Sequence, residues 1–256
     1  MSRVLLITGG ASGIGAEVAR LAAAQGYAVA VNYRSKRDKA EALVAGLGGK
    51  AIAVPGDVAD PSEVEAMFAA TEKALGPLTH LVNSAGLYVT QARVEDFDAG
   101  DLARLFQVNV IGTMLCCREA VRRMSTARGG KGGAIVNVSS MAATTGGRAG
   151  SSAYAATKGA IDVFTQGLAR EVAAEGIRAN VVRPGFTLTD MTAATAADPR
   201  RVAAIAATIP IGRIGTALES AWPIMWLLSD EQASFVSGTA INASGGGFVI
   251  GAPAGR

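Results

Sequence analysis

Tyr154-Ala155-Ala156-Thr157-Lys158 places a phenol and an ammonium at positions i and i+4. On a helix these positions share a face. An unperturbed tyrosine titrates near 10, too high for an efficient general base at neutral pH. A nearby ammonium favours the phenolate and lowers that pKa. The pair therefore suits proton exchange with an alcohol or carbonyl oxygen while a hydride moves. The spacing also arises by chance on solvated helix faces, so its neighbours decide its meaning. Ser140 lies fourteen residues earlier, at the end of an apolar run. A hydroxyl at the carboxyl end of a parallel strand faces the crevice where such sheets bind ligands. From there Ser140 could polarise a carbonyl by donating a hydrogen bond. Ser139 is an adjacent alternative, and either serine could simply end the strand or cap a turn. Asn109 sits inside a helical pattern where asparagine is a poor helix former. Its amide could hold a water against Lys158, or could be a locally satisfied buried group.

A glycine-rich turn supplies the second piece of chemistry. Thr8-Gly9-Gly10-Ala11-Ser12-Gly13-Ile14-Gly15 follows the first apolar run and precedes a helical pattern. Glycines allow a tight turn and close approach to a phosphate, and the helix start offers free N–H groups. A dinucleotide pyrophosphate suits such a site. Ala16 stands where a P-loop would need lysine, which excludes that motif. An acid about 20 residues past the glycines would mark an NAD ribose. Asn32-Tyr33-Arg34-Ser35-Lys36-Arg37 occupies that place instead. A guanidinium at Arg34, with Ser35, can bind a 2′-phosphate that a carboxylate would repel. NADP is thus expected over NAD, with NAD a weaker alternative, since these cations also suit a solvated helix start. Asp57 follows the third apolar run, where it could meet an adenine amino group or cap the next segment. Asp60 before Pro61 is the better helix cap.

These groups need a scaffold of alternating elements. Strands are expected at Val4–Thr8, Ala28–Asn32, Ala51–Pro55, His80–Asn83, Ala134–Val138, Ile177–Arg183 and Gly238–Asn242. Helices are expected at Ile14–Gln25, Arg37–Leu47, Pro61–Leu75, Gly100–Met124, Ala153–Glu175 and Glu219–Leu228. Such alternation implies a Rossmann-type, doubly wound parallel α/β sheet of about seven strands, covered by helices on both faces. No linker divides residues 1–256, so one domain is expected, with residues 187–213 as an irregular substrate lid. Met191 and Ile205 would give that lid a modest apolar pocket, while Arg200, Arg201 and Arg213 could meet an acidic substrate or stay solvated.

Half of the residues are hydrophobic and 18% are charged, which argues against general disorder. The net charge of +3 is not clustered, so a nucleic-acid surface is not expected. Cys116 and Cys117 are adjacent and have no other thiol to pair with, which fits a reducing compartment and a packing role. No run approaches the roughly 18–20 apolar residues of a membrane span. A cytoplasmic protein without membrane partners is expected. The single histidine, His80, and the lack of a ligand cluster leave no expected metal site or histidine-based hydrolase.

Together the motifs resemble the short-chain dehydrogenase/reductase family. Thr8-Gly9-x-x-x-Gly13-x-Gly15, Asn83-Ser84-Ala85-Gly86, Asn109, Ser140, Tyr154-x-x-x-Lys158 and Pro184-Gly185 stand in the family's order, and the likeness extends to Ile241–Gly246. The resemblance implies a single-domain enzyme exchanging hydride between nicotinamide and a carbonyl or alcohol, similar to glucose-dehydrogenase-like and 3-oxoacyl-carrier reductase-like members. It implies a catalytic tetrad of Asn109, Ser140, Tyr154 and Lys158, with Lys158 also on the ribose hydroxyls. Thr8, Gly9, Ser12, Gly13, Ile14, Gly15, Asn32, Tyr33, Arg34 and Ser35 would hold the cofactor's phosphate and adenosine side. Asp57 and Val58 would contact adenine, and Asn83, Ala85 and Gly86 would line the cofactor near the fourth strand. Pro184, Gly185, Thr187 and Thr189 would border the nicotinamide end. The family also implies a homotetramer or homodimer, paired through the long helices Gly100–Met124 and Ala153–Glu175. Two departures stand out: Ser84 replaces a usual asparagine, and the Ser140–Tyr154 gap is one residue longer than usual. A nucleotide-binding regulatory or scaffold protein without turnover is the alternative class.

Overall fold

The computed structural model describes residues 3–88 and 92–247; the ends of the expected 1–256 domain lie outside the described residues. The strands are β1 (Val4–Thr8), β2 (Ala28–Tyr33), β3 (Ala51–Pro55), β4 (His80–Asn83), β5 (Gly133–Val138), β6 (Ile177–Pro184), β7 (Thr187–Leu188), β8 (Gly215–Thr216) and β9 (Ala240–Ala243). Seven form one sheet in the order β3-β2-β1-β4-β5-β6-β9. Its pairings are all parallel. The strand order reverses beside β1, so the chain leaves β1 and β4 in opposite directions and opens a crevice at their carboxyl ends.

The helices are α1 (Gly13–Ala24), α2 (Arg37–Leu47), α3 (Pro61–Leu75), α4 (Ala99–Phe106), α5 (Thr113–Met124), α6 (Ala142–Thr145), α7 (Ser152–Val172), α8 (Ala193–Ala196), α9 (Pro199–Ala206) and α10 (Ala217–Leu228). Strand side chains alternate between two cores. Val4 and Leu6 join Phe68, Cys116, Met124 and Leu168 beneath α3, α5 and α7. Leu5 and Ile7 join Val18, Ala22, Ala221 and Ile224 beneath α1 and α10. Period-two alternation into two apolar layers is what makes the strands read as continuous hydrophobic runs. Asp60 caps α3 through Ser62 N and Glu63 N, with Pro61 at its first turn. Thr216 and Glu219 cap α10 reciprocally.

Two expectations change. The helix expected over Gly100–Met124 is interrupted by a π-helical turn, Gln107–Gly112. A Cβ on Gly112 would stand 2.9 Å from the Val58 carbonyl oxygen, so the backbone crosses the β3–α3 connection at close range. The wider turn accommodates that crossing and carries Asn109 on its inner side. The lid expected over 187–213 is largely regular. After β7 come a 3-10 turn (Asp190–Thr192), α8 and α9, while β8 pairs in parallel with β7. Asp198 accepts from Arg200 N and Arg201 N and Pro199 opens α9, a start signal within an Ala- and Thr-rich stretch. Ile205 is buried in the lid's own cluster with Ile209, Ile214 and Phe186. It therefore does not line an open pocket, whereas Met191 is half exposed.

His80 is structural. Its ring is 1% exposed and packs edge-on against Tyr27. Nε2 lies 3.2 Å from the Leu228 carbonyl and must donate to it, leaving Nδ1 to accept from the Thr79 hydroxyl at 2.8 Å. Burial pushes its pKa down to about 4. The unfolded chain therefore binds the proton first, and stability that is full above the ordinary 6.5 declines as pH falls toward 4. Chemical denaturation across this range should show a loss on the order of 3 kcal/mol from this group. His80→Asn should flatten that part of the decline; an unchanged slope would exclude His80 as its source.

Candidate active site

Tyr154 and Lys158 lie in the first turns of α7 and share the face turned to the sheet's carboxyl edge. Lys158 is buried and donates from Nζ to the Val138 carbonyl at 2.8 Å. Its Nζ stands 5.8 Å from the centre of the half-buried Tyr154 ring. The Ser140 hydroxyl lies near enough to the Tyr154 phenol to oppose the rise of its pKa, and it accepts from Ala142 N at 3.1 Å. Ser139 points the other way, donating to the Lys158 carbonyl at 3.1 Å. The choice between the serines thus falls on Ser140 for contact with the phenol. The connection that follows Ser140 forms α6, and the longer gap falls within it and the turns before α7.

The expected lowering of the Tyr154 pKa is not seen. Burial pushes it up to about 12, with the Ser140 hydrogen bond opposing. Burial lowers Lys158 to about 8, with the Asp162 carboxylate opposing. Desolvation penalises each charged form, and on the phenol the neighbouring Tyr88 adds to the rise. At neutral pH the phenol is protonated and the amine remains mostly an ammonium. Asp162, one turn beyond Lys158, is held by Arg183 Nε at 2.8 Å.

Asn109 faces the same space. Its Oδ1 accepts from Leu87 N at 2.7 Å, and its Nδ2 donates to Leu87 O at 3.0 Å and Thr157 Oγ1 at 3.2 Å. A Cβ placed on Gly86 would lie 3.5 Å from Asn109 Oδ1 and 3.7 Å from Lys158 Nζ. Gly86 therefore leaves a gap flanked by both polar groups, a fitting place for a ribose or water. Tyr88 packs edge-on to Tyr154 with ring centres 5.0 Å apart. Its hydroxyl lies 2.6 Å from Ser151 Oγ. Sequence reasoning missed Tyr88, although an aromatic two residues past Gly86 was the available signal.

The glycine turn forms a cradle beside this gap. Gly9 has φ +61°, and a Cβ there would stand 2.7 Å from Ala85 Cα, so only glycine lets the turn pass the end of β4. Thr8 Oγ1 accepts from Ser84 N and Ala85 N, both at 3.2 Å, which ties the two strand ends together. Ser12 is the N-cap residue of α1 but makes no side-chain cap bond there. Gly13, Ile14 and Gly15 open the helix beyond it, so their N–H groups suit an anion. At the far border, a Cβ on Gly185 would meet Ser244 Cα at 2.9 Å, and Pro184 accepts from Met141 N at 2.9 Å. The free N–H groups at the start of α1 suit the phosphates of a dinucleotide.

Several residues expected on the cofactor have their side chains engaged elsewhere. Asn83 is buried and donates to Asn137 Oδ1 at 2.9 Å and Cys117 Sγ at 3.3 Å, so its amide braces the sheet. Asn32 accepts from Gly9 N at 3.2 Å and donates to Gly56 O at 3.0 Å, supporting the turn from below. Tyr33 and Val58 pack in the two cores. Thr187 is buried and donates to Gly185 O at 3.0 Å. Thr189 caps the lid's 3-10 turn with Thr192 and stands beside Gly13. Asp57 accepts from Ala59 N at 3.0 Å and pairs with Arg34 at 3.6 Å, so the turn-capping alternative is realised. Ser35 lies exposed beside Arg34. Lys36, the cation that sequence reading left on the helix start, reaches Ser12 Oγ at 3.1 Å.

The family model described as "Enoyl-(Acyl carrier protein) reductase" matches residues 9–247. The Escherichia coli protein named "Uncharacterized oxidoreductase YgfF" is 48% identical over 246 residues, covering 95% of this chain and 99% of that protein. The Rattus norvegicus 3-oxoacyl-[acyl-carrier-protein] reductase is 38% identical over 246 residues, covering 96% and 98%. A Sinorhizobium meliloti 1021 dehydrogenase/reductase structure superposes with a TM-score of 0.88 at 33% identity, covering 96% of this chain and 95% of that one.

The chain belongs to the short-chain dehydrogenase/reductase family. It is an oxidoreductase of Rossmann fold whose relatives imply a nicotinamide cofactor. Among the described residues no group of three or more His, Cys, Asp or Glu could hold a metal. No helix among them is long and apolar enough to cross a membrane. Cys116 and Cys117 are both buried, and burial raises Cys117 to about 12, so both are packing residues of the short-chain dehydrogenase/reductase core.

Lysine side-chain NMR, assigned with Lys158→Met, should show Lys158 titrating near pH 8. Asp162→Asn should lower that midpoint further, since its carboxylate favours the ammonium. A midpoint above 10 would show that burial does not reach the amine.

Proposed function

We propose that this chain is an NADP(H)-dependent carbonyl reductase or alcohol dehydrogenase with Tyr154 as its general acid and base. The observation that carries this reading is the placement of Lys158 and Asn109 around the gap at Gly86, with the Tyr154 ring 5.8 Å from Lys158 Nζ and Ser140 beside its phenol. A bound nicotinamide would supply or accept the hydride at the substrate carbon. Ser140 and Tyr154 would hold the carbonyl oxygen, and the protonated phenol would give it the proton. The Lys158 ammonium and the Asn109 amide would order the ribose and water that return a proton to Tyr154. Oxidation would run the same path backwards, with the phenol taking the alcohol proton. The protonated phenol is the form that reduction requires.

Arg34, Ser35 and Lys36 at the end of β2 favour the 2′-phosphate of NADP over the bare hydroxyl of NAD. The aromatic edge of Tyr88 over Tyr154 suits an apolar or flat carbonyl substrate. The names of the relatives make 3-oxoacyl thioesters a leading class beside simple ketones. Self-association is part of the same reading. Exposed Phe106, Ile111 and Val163 lie on α4, the π turn and α7, where pairing was expected. Leu218, Trp222 and Trp226 form a second exposed apolar stripe along α10.

NADPH oxidation measured against ketones, quinones, sugars and 3-oxoacyl thioesters should reveal turnover on at least one class. On that substrate, Tyr154→Phe should keep NADPH binding and lose at least ~100-fold in kcat, as for a missing general acid. Near-normal turnover in that variant would remove Tyr154 from the chemistry. Arg34→Asp should shift the ratio of NADPH to NADH kcat/KM toward NADH by at least ~10-fold, because a carboxylate repels the phosphate. An unchanged ratio would refute the phosphate role of Arg34.

A further inference from the structure

The cations around the carboxyl end of β2 already hold carboxylates. Arg34 pairs with Asp57 at 3.6 Å, and Arg37 with Glu41 at 2.7 Å. Across the α1 face, Arg20 pairs with Glu17 at 2.7 Å. Lys36 and Lys39 share one oxygen, Oδ2 of Asp190, at 2.8 and 2.9 Å. The Arg37 and Arg20 pairs are contacts within one helix, and Arg34–Asp57 joins neighbouring strand ends. The Asp190 contact is different in kind, because Asp190 belongs to the lid and stands 154 residues from Lys36. Lys36 simultaneously touches Ser12 Oγ at the tip of the glycine turn. One ammonium therefore joins three parts of the crevice: the glycine turn, the start of α2 and the lid. A cavity of about 460 Å³ opens beside this junction, lined by Ser12, Gly13, Glu17, Lys39, Thr189 and Asp190 among others.

We infer that Asp190 is a specificity-determining residue whose carboxylate occupies Lys36 and Lys39 in place of a cofactor 2′-phosphate. This rests on the proposed cofactor reading and deepens it. A phosphate arriving beside Arg34 and Ser35 reaches Lys36 by exchanging with Asp190, whereas a bare ribose hydroxyl gains little from that exchange. Asp190 thus lowers affinity for the phosphorylated cofactor selectively, and the phosphate loosens one anchor of the lid when it binds. No bond is made or broken; one ion partner replaces another. The two lysines hold the Asp190 carboxyl down to about 2, so it stays ionised through the physiological range. Lys36 and Asp190 are each 44% exposed, where ion pairs are weak and salt-screened. The expected effect is therefore several-fold, not orders of magnitude.

Calorimetry with 2′,5′-ADP and 5′-AMP, which differ only in the 2′-phosphate, separates that phosphate from the nicotinamide and needs no turnover. In the full chain, Asp190→Asn should tighten 2′,5′-ADP roughly fivefold at low salt and change 5′-AMP far less, in keeping with a half-exposed pair. Lys36→Ala should weaken 2′,5′-ADP selectively, and adding Asp190→Asn to it should restore less than the single change gains. The gain should shrink in 0.5 M salt. A ratio of the two affinities that is unchanged or lowered by Asp190→Asn overturns the inference, including the case where a disturbed lid weakens both ligands alike. Failure of the underlying cofactor reading would show separately, as an NADPH/NADH ratio indifferent to Arg34→Asp.

Discussion

The site depends on how α7 is fastened to the end of β5. Lys158 Nζ donates to the Val138 carbonyl while Ser139 Oγ donates back to the Lys158 carbonyl. Thr157, between these residues and Tyr154, accepts from Asn109 Nδ2. These bonds join a helix, a strand end and the π turn at one level. They fix the helix's rotation and depth, and so where the phenol of Tyr154 emerges. The same fastening explains the electrostatics. An amine drawn into the sheet edge loses water and titrates near 8, and a phenol beside it is held protonated. The phenol is protonated at neutral pH, as a proton donor must be, although burial makes it a weaker acid than an ordinary tyrosine.

Beneath the crevice runs a chain of buried side-chain bonds. Thr8 reaches Asn83, Asn83 donates to Asn137, and Asn137 donates to Thr165 on α7. Buried amides are costly unless satisfied, and here each finds a partner across adjacent parallel strands. This cross-brace sets the ends of β1, β4 and β5 level with one another, which a crevice shared by the three strands requires. Ser84 takes no part in it through its side chain, so the departure from the family's asparagine leaves the brace intact. Its backbone N–H still meets Thr8.

Charge is distributed by another rule. The cations near the β2 end are paired on the protein itself, so the positive character read from Arg34, Lys36 and Arg37 is largely neutralised in place. Anion selectivity there becomes a matter of exchange between partners, and the partner on the lid links it to the lid's position.

Local pattern sufficed for much of the scaffold. Apolar runs bounded by glycine and proline located the seven strands, α2 lies where its periodicity indicates, and α3 starts where its Asp60-Pro61 cap indicates. The glycine turn and the Tyr154–Lys158 spacing were legible for the same reason, since both are short-range requirements written in consecutive residues. Long-range contacts decided the rest. Whether Asn83 and Asn32 face a ligand or brace the sheet depends on which strands lie alongside them. Ser140 is separated from Ser139 only by the position of α7, and the π turn ends where Gly112 passes close to Val58. The direction of the Tyr154 pKa shift followed burial, which exists only after the layers assemble. The bridge from Asp190 to Lys36 joins residues 154 positions apart. Sequence spacing determines which groups share a face of one element; desolvation and partner choice belong to the packed whole.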